Sequence, residues 1–165
     1  MRYAQIRKMD ISNGEGIGIA VFTQGCPFHC KNCFNPETWD FDGGTEWTQV
    51  EEDKIVELLN SPHIKRLTIL GGEPLINNNK EALVQLLGKV KKLYPTKKVW
   101  LYTGAKYEDV IKSFADVLQY VDVLIDGRYV DELRDYSLKF RGSSNQRVID
   151  VQKSVAENKV VLYLE

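Results

Sequence analysis

Three cysteines are all this 165-residue chain has, and all three fall within eight positions: Cys26-Pro27-Phe28-His29-Cys30-Lys31-Asn32-Cys33. Thiolates spaced C-x-x-x-C-x-x-C suit three irons of a four-iron four-sulfur cluster, which leaves the fourth iron open to an outside ligand. A ferredoxin-like electron carrier needs a fourth cysteine, and the chain has none. A zinc site completed by His29 is the alternative. It is the weaker reading, because His29 adjoins Cys30 in the same loop whereas structural zinc sites pair ligands from separated segments. Inert buried thiols are weaker still, since Pro, His, Lys and Asn between them make a poor core pattern.

The elements that must position this loop are legible as alternating strands and helices. Ile17-Gly18-Ile19-Ala20-Val21-Phe22-Thr23 reads as a buried strand running into the cysteines through Gln24-Gly25. Thr48 and Glu51 form a capping-box pattern ahead of an apolar helical face of Val50, Ile55, Leu58 and Leu59, and Pro62 stops that helix. Arg66 to Leu70 reads as a strand ending in Gly71-Gly72-Glu73-Pro74. Asn78 and Glu81 then offer a cap for a helix carrying Leu83, Leu86, Leu87, Val90 and Leu93. A strand at Val99 to Tyr102 turns at Thr103-Gly104 into a helix from Tyr107 to Leu118. Val121 to Ile125 is the next strand, ending at Asp126-Gly127.

This alternation predicts one α/β domain over residues 1–165, with a mostly parallel sheet and helices outside. The cysteine loop, Gly71-Gly72-Glu73-Pro74, Tyr102-Thr103-Gly104 and Asp126-Gly127 then share one rim. The polar stretch from Asp131 to Gln146 breaks the pattern. Arg147 to Val151 and Val160 to Leu164 read as closing strands of a hairpin or edge.

Composition adds exclusions. A formal net charge of −1, with 43% hydrophobic and 27% charged residues, gives no basic bias toward nucleic acid or a membrane surface. The N-terminal Met1 to Lys8 has no apolar signal core, no stretch is long and apolar enough to span a bilayer, and a cytoplasmic protein is expected.

With those residues in view, the chain resembles the radical S-adenosylmethionine superfamily. Cys26, Cys30 and Cys33 match its cysteine signature, and Gly71-Gly72-Glu73-Pro74 resembles its glycine-rich motif. More closely, it resembles the small activating enzymes of anaerobic ribonucleoside-triphosphate reductase. The likeness covers nearly the whole chain and is carried by Gly25-Cys26-Pro27, Cys33-Phe34-Asn35-Pro36 and the run from Phe140 to Arg147. The resemblance implies a partial (β/α) barrel and a four-iron four-sulfur cluster held by Cys26, Cys30 and Cys33. It implies S-adenosyl-L-methionine chelated at the open iron and cleaved reductively. The resulting 5′-deoxyadenosyl radical would take a hydrogen from a glycine of the reductase large subunit, with flavodoxin or ferredoxin as electron donor.

The same resemblance gives roles to other positions. Gly71 and Gly72 would let the backbone approach the methionine moiety, and Glu73 would accept from its ammonium or buttress the turn. Asn32 and Phe34, beside the third cysteine, would lie near the adenine; Phe34 is equally readable as core. Thr103 and Asp126 would reach the ribose, the carboxylate or a cation, or serve as ordinary turn and cap residues, as would Arg128. The stretch from Arg141 to Arg147 is either a solvated loop or a docking surface. His63 reads as a surface residue, and Trp39, Trp47 and Trp100 as packing. Two other functions stay open: a radical enzyme acting on a small molecule such as a purine precursor, and a non-catalytic metal-binding interaction module.

Overall fold

A computed structural model describes residues 1–165. In chain order, strands β1 (Arg2–Asp10) and β2 (Gly18–Thr23) precede a 3₁₀ turn at Pro36–Thr38 and the two-residue strand β3 (Thr45–Glu46). Then come α1 (Gln49–Leu58), β4 (Arg66–Gly71), α2 (Asn77–Leu93), β5 (Lys98–Tyr102), α3 (Tyr107–Ser113), α4 (Ala115–Leu118) and β6 (Val123–Asp126). A 3₁₀ turn at Asp131–Leu133 leads to β7 (Arg147–Asp150), α5 (Val151–Glu157) and β8 (Leu162–Leu164).

All eight strands form one sheet in the order β3-β1-β2-β4-β5-β6-β7-β8. Only β2–β4, β4–β5 and β5–β6 pair in parallel; the four outer pairings are antiparallel. The expectation of a mostly parallel sheet is therefore corrected to a mixed, open one. Parallel neighbours need a crossover, and crossover helices occupy only the segments between β2 and β6. β1 was not legible as a strand because its side chains, five of them charged or amide, alternate poorly between buried and exposed.

The sheet is covered unequally. Ile19, Val21, Leu67, Ile69, Val99, Leu101 and Leu124 face the helices and join Ile55, Leu83, Leu87, Val110 and Val117 in a 23-residue core. The opposite face carries two smaller apolar clusters, around Trp100 with Val148 and around Phe22 with Leu70. Its floor is a buried ion pair, Arg66 Nη2 to Asp10 Oδ2 at 2.9 Å. Arg66 also donates to the carbonyls of Asp10, Glu15 and Gly16, which pins the β1–β2 connection beneath the sheet. No helix packs on this face, so it is free to hold a site.

Helix boundaries follow local chemistry. The Thr48–Glu51 capping box forms as expected, although Val50 is exposed rather than part of the buried face. α2 starts at Asn77 with no side-chain cap, so Asn78 does not cap it; Asn79 instead donates to the Pro74 carbonyl. The helix expected from Tyr107 to Leu118 is interrupted at Phe114, whose backbone (φ −126°, ψ 27°) leaves the helical region while its ring stays buried. Val151 starts α5 rather than ending β7, because Asp150 caps that helix through the Lys153 amide.

Candidate active site

The register of the parallel strands sets the rim. Thr23 of β2 pairs with Gly71 of β4, and Tyr102 of β5 with Ile125 of β6, so the chain leaves all four strands at one edge. There the Gly25 amide donates to Thr38 O at 2.7 Å and the Cys26 amide to Trp39 O at 3.1 Å, closing the cysteine loop onto the Pro36–Thr38 turn. His29 and Asn32 take left-handed backbone conformations (φ 48° and 56°), which bend the loop through its three cysteines. The His29 ring stacks on Trp39 at 4.5 Å between centroids, with the ring planes nearly parallel.

Cys26, Cys30 and Cys33 are free thiols on the wall of one cleft. Burial pushes the Cys26 and Cys30 thiols up, while backbone amides oppose it: Phe28 and His29 toward Cys26, Tyr129 toward Cys30. The Asn35 amide donates to Cys33 Sγ at 3.4 Å. No group of three His, Cys, Asp or Glu side chains converges on a single-ion position. Three thiols on one cleft wall with backbone amides directed at sulfur have the donor chemistry of a cluster, whose negative sulfurs such donors stabilise.

The glycine-rich turn is built into this loop. Gly71 has φ +109°, and a Cβ there would lie 2.5 Å from Thr23 N; at Gly72 it would lie 2.4 Å from Gly25 O. The Gly72 and Glu73 amides donate to Thr23 O and Gly25 O, each at 2.9 Å. Both glycines are thus required by the close approach of β4's exit to β2's exit. Glu73, 2% exposed, accepts at Oε1 from the Gly104 amide (2.6 Å) and at Oε2 from the Leu75 amide and Thr103 Oγ1 (both 2.9 Å). Burial pushes its carboxyl up to about 7 against those three donors. Its oxygens are used within the protein, which makes it a buttress of the turn.

Cys26, Cys30, Cys33, Phe34, Gly71, Gly72, Glu73 and Thr103 line the same cleft. Asn32 and Asp126 do not. Asn32 is exposed and donates to Asp131 at 2.9 Å. Asp126, 1% exposed, accepts from the Tyr107 amide and pairs with Arg147 at 2.5 Å, so its carboxylate holds α3 and β7 in place. Thr103 donates to Glu73 and accepts from the Ala105 amide, again within the rim.

Several cleft residues carried no sequence signal for this role. Trp39 reads only as packing, and Tyr129, 4.9 Å from Phe34, extends an aromatic wall; Tyr102, expected on the rim beside Thr103, does line the cleft. Arg128, by contrast, is a residue the sequence offers as a strand-end contact or an ordinary turn residue; it lies over the Phe28 ring at 4.5 Å, and that ring in turn sits against Gly104. Gln146 donates to Gly127 O at 3.0 Å and accepts from the Gly142 and Ser143 amides, closing the far wall. The stretch from Arg141 to Arg147 is therefore an ordered turn, with Ser143 fully buried, rather than a solvated loop.

Residues 12–149, which contain every element of the rim, match the family model described as a 4Fe-4S single cluster domain. Proteins named anaerobic ribonucleoside-triphosphate reductase-activating protein in Haemophilus influenzae and Vibrio cholerae are each 40% identical to the chain over 148 residues, 88% of this chain and 96% of theirs. The Escherichia coli protein of that name is 37% identical over 150 residues, 90% of this chain and 97% of its own. The chain belongs to this family of reductase-activating proteins. The family model's match stops at Ile149; beyond it, Val151 of α5 joins the main core and β8 pairs with β7.

Proposed function

We propose that this chain activates anaerobic ribonucleoside-triphosphate reductase by reductive cleavage of S-adenosylmethionine, as a radical S-adenosylmethionine oxidoreductase. The observation that carries this reading is the meeting of three cysteines with the Gly71-Gly72-Glu73 turn on one cleft, in a chain with no fourth cysteine. The open mixed sheet is read as the partial barrel of that superfamily, and the helix-free face as its interior. A four-iron four-sulfur cluster on Cys26, Cys30 and Cys33 would supply an electron and an open iron for chelation.

The substrate's carbon–sulfur bond breaks on one-electron reduction to give methionine and a 5′-deoxyadenosyl radical. That radical takes one hydrogen atom from a glycine of the reductase, leaving 5′-deoxyadenosine and a glycyl radical. The protein's own share is binding, orientation and exclusion of water. The Gly71–Gly72 backbone, held by Glu73, forms the floor beside the cysteine loop. Phe34 and Tyr129, tilted 52° to one another, offer aromatic surface for the adenine, and Thr103 keeps Glu73 fixed.

Flavodoxin or ferredoxin is the electron donor in this reading, and the cytoplasm its setting; no helix is long and apolar enough to cross a membrane. The test is anaerobic incubation of the reconstituted chain with reductant and S-adenosylmethionine. Formation of 5′-deoxyadenosine supports the reading; a cluster-loaded chain that forms none rejects it.

A further inference from the structure

Between β6 and β7 the chain runs back over the cysteine loop, and its side chains meet that loop one after another. Arg128 lies over Phe28, Tyr129 packs on Phe34, Asp131 accepts from Asn32, and Glu132 pairs with Lys31 at 3.6 Å. The turn that follows fixes this 127–132 strap from its other side. Ser143 Oγ accepts from the Val130 amide at 3.1 Å, Asn145 Nδ2 donates to Arg128 O at 2.8 Å, and Gln146 Nε2 donates to Gly127 O at 3.0 Å. Ser143 is fully buried, so this brace is anchored in the fold. The Ser143-Ser144-Asn145-Gln146 run thereby holds the strap's backbone in place beside the cysteines.

The strap's polar contacts are unequal. The Lys31 and Glu132 side chains are 73% and 69% exposed, and such a pair contributes little. The Asp131 side chain is 18% exposed, with both oxygens engaged. Oδ2 accepts from Asn32 Nδ2 at 2.9 Å and Oδ1 from the Tyr129 hydroxyl at 2.8 Å, with Arg134 Nη1 at 3.9 Å from Oδ1. Hydrogen bonds to an ionised acceptor are the stronger kind. One end of this bridge is the residue between Cys30 and Cys33 that takes a left-handed backbone (φ 56°); the other is a ring that lines the cleft. Neither Asn32 nor Asp131 lines the cleft, so the bridge acts on a bound molecule through what it holds.

We infer that Asp131 is a positioning residue: it locks the Cys30–Cys33 turn to the Tyr129 ring, so that the cluster and the wall for the adenine keep one fixed separation. The inference rests on the cleft binding S-adenosylmethionine beside a cluster. The bridge works by hydrogen bonding, and its charge is dispensable. Asp131→Asn keeps an oxygen for the Tyr129 hydroxyl and presents an NH₂ to the Asn32 amide oxygen once that amide turns over.

The test is binding of S-adenosylmethionine to the full cluster-loaded chain without reductant, by anaerobic equilibrium dialysis, with iron per chain measured alongside. Asp131→Ala is expected to hold about four irons yet bind about tenfold more weakly, the lower end of the loss usual when an outer partner of a metal site is removed. Asp131→Asn is expected to bind within about threefold of wild type. Tyr129→Phe keeps the ring and removes the donor; its loss and that of Asn32→Ala are expected not to add, because either change breaks the same bridge. Glu132→Gln is the control on the same strap and should stay within about twofold. Wild-type affinity in Asp131→Ala overturns the inference. So does Asp131→Asn binding as weakly as Asp131→Ala, which would mean that the carboxylate acts by charge on the sulfonium. Additive losses in Asn32→Ala and Tyr129→Phe overturn it as well, and they are read even where Asp131→Ala does not fold. Failure of the radical reading is separately visible, as wild-type chain that binds S-adenosylmethionine but forms no 5′-deoxyadenosine on reduction.

Discussion

Glu73, at the exit of β4, accepts the Gly104 amide at the exit of β5 at 2.6 Å, while its own amide donates to Gly25 O beside the cysteine loop. One residue thereby ties three strand ends together. Glu73→Gln keeps an oxygen for Gly104 but turns an NH₂ toward the Leu75 amide, leaving a buried donor unpaired. A loss of about 1–3 kcal/mol at pH 5 is expected in denaturant unfolding of the metal-free protein.

The same residue sets a pH dependence. Its folded carboxyl is raised to about 7, from an ordinary value of 4.5, so the folded state binds the proton more tightly than the unfolded chain. Glu73 therefore makes stability fall as pH rises from about 4.5 to 7. Wild-type stability relative to Glu73→Gln should decline between pH 5 and pH 7.5; a difference that stays flat across that window refutes this assignment.

Gly71→Ala forces a side chain onto a backbone at φ +109° and within 2.5 Å of Thr23 N. Strain of about 1–3 kcal/mol is expected from the backbone alone, with the clash added. Because the displaced neighbour is the strand leading to Cys26, cluster content after reconstitution should fall as well, measured as iron per chain.

Arg147→Met removes the cation paired with Asp126, a carboxylate 1% exposed whose remaining partner is the Tyr107 amide. Removing one partner of a fully buried pair costs about 3–5 kcal/mol; the Arg147 side chain is one-third exposed, so about 2–3 kcal/mol is expected here. Thermal unfolding measures it. Asp126→Asn should leave 5′-deoxyadenosine formation intact if its role is to hold α3 and β7 rather than the substrate.

The central strands and the rim were legible because each strand is an apolar run that stops at glycine or a cap residue: Thr23 before Gly25, Leu70 before Gly71, Tyr102 before Gly104. The direction of the outer strands was not. β1 is charged and β7 is four residues long, and neither carries a mark of the partner it will choose. The cysteines and glycines announced the site by type and spacing, and Arg128 by its place at a strand end, whereas Tyr129 and Gln146 enter it through a long loop whose path depends on tertiary contacts such as Gln146 to Gly127. Asp126 shows the converse: a strand-end acid that looks like a ligand from sequence and is occupied by Arg147 in the fold.

The most direct measurement is electron paramagnetic resonance of anaerobic ribonucleoside-triphosphate reductase after anaerobic incubation with this chain, reductant and S-adenosylmethionine. A glycyl-radical doublet on the reductase with matching 5′-deoxyadenosine is expected, lost in Cys30→Ala together with a cluster of about four irons and four sulfides. A chain that carries one zinc and no sulfide, or a loaded chain that leaves the reductase without a doublet, contradicts it.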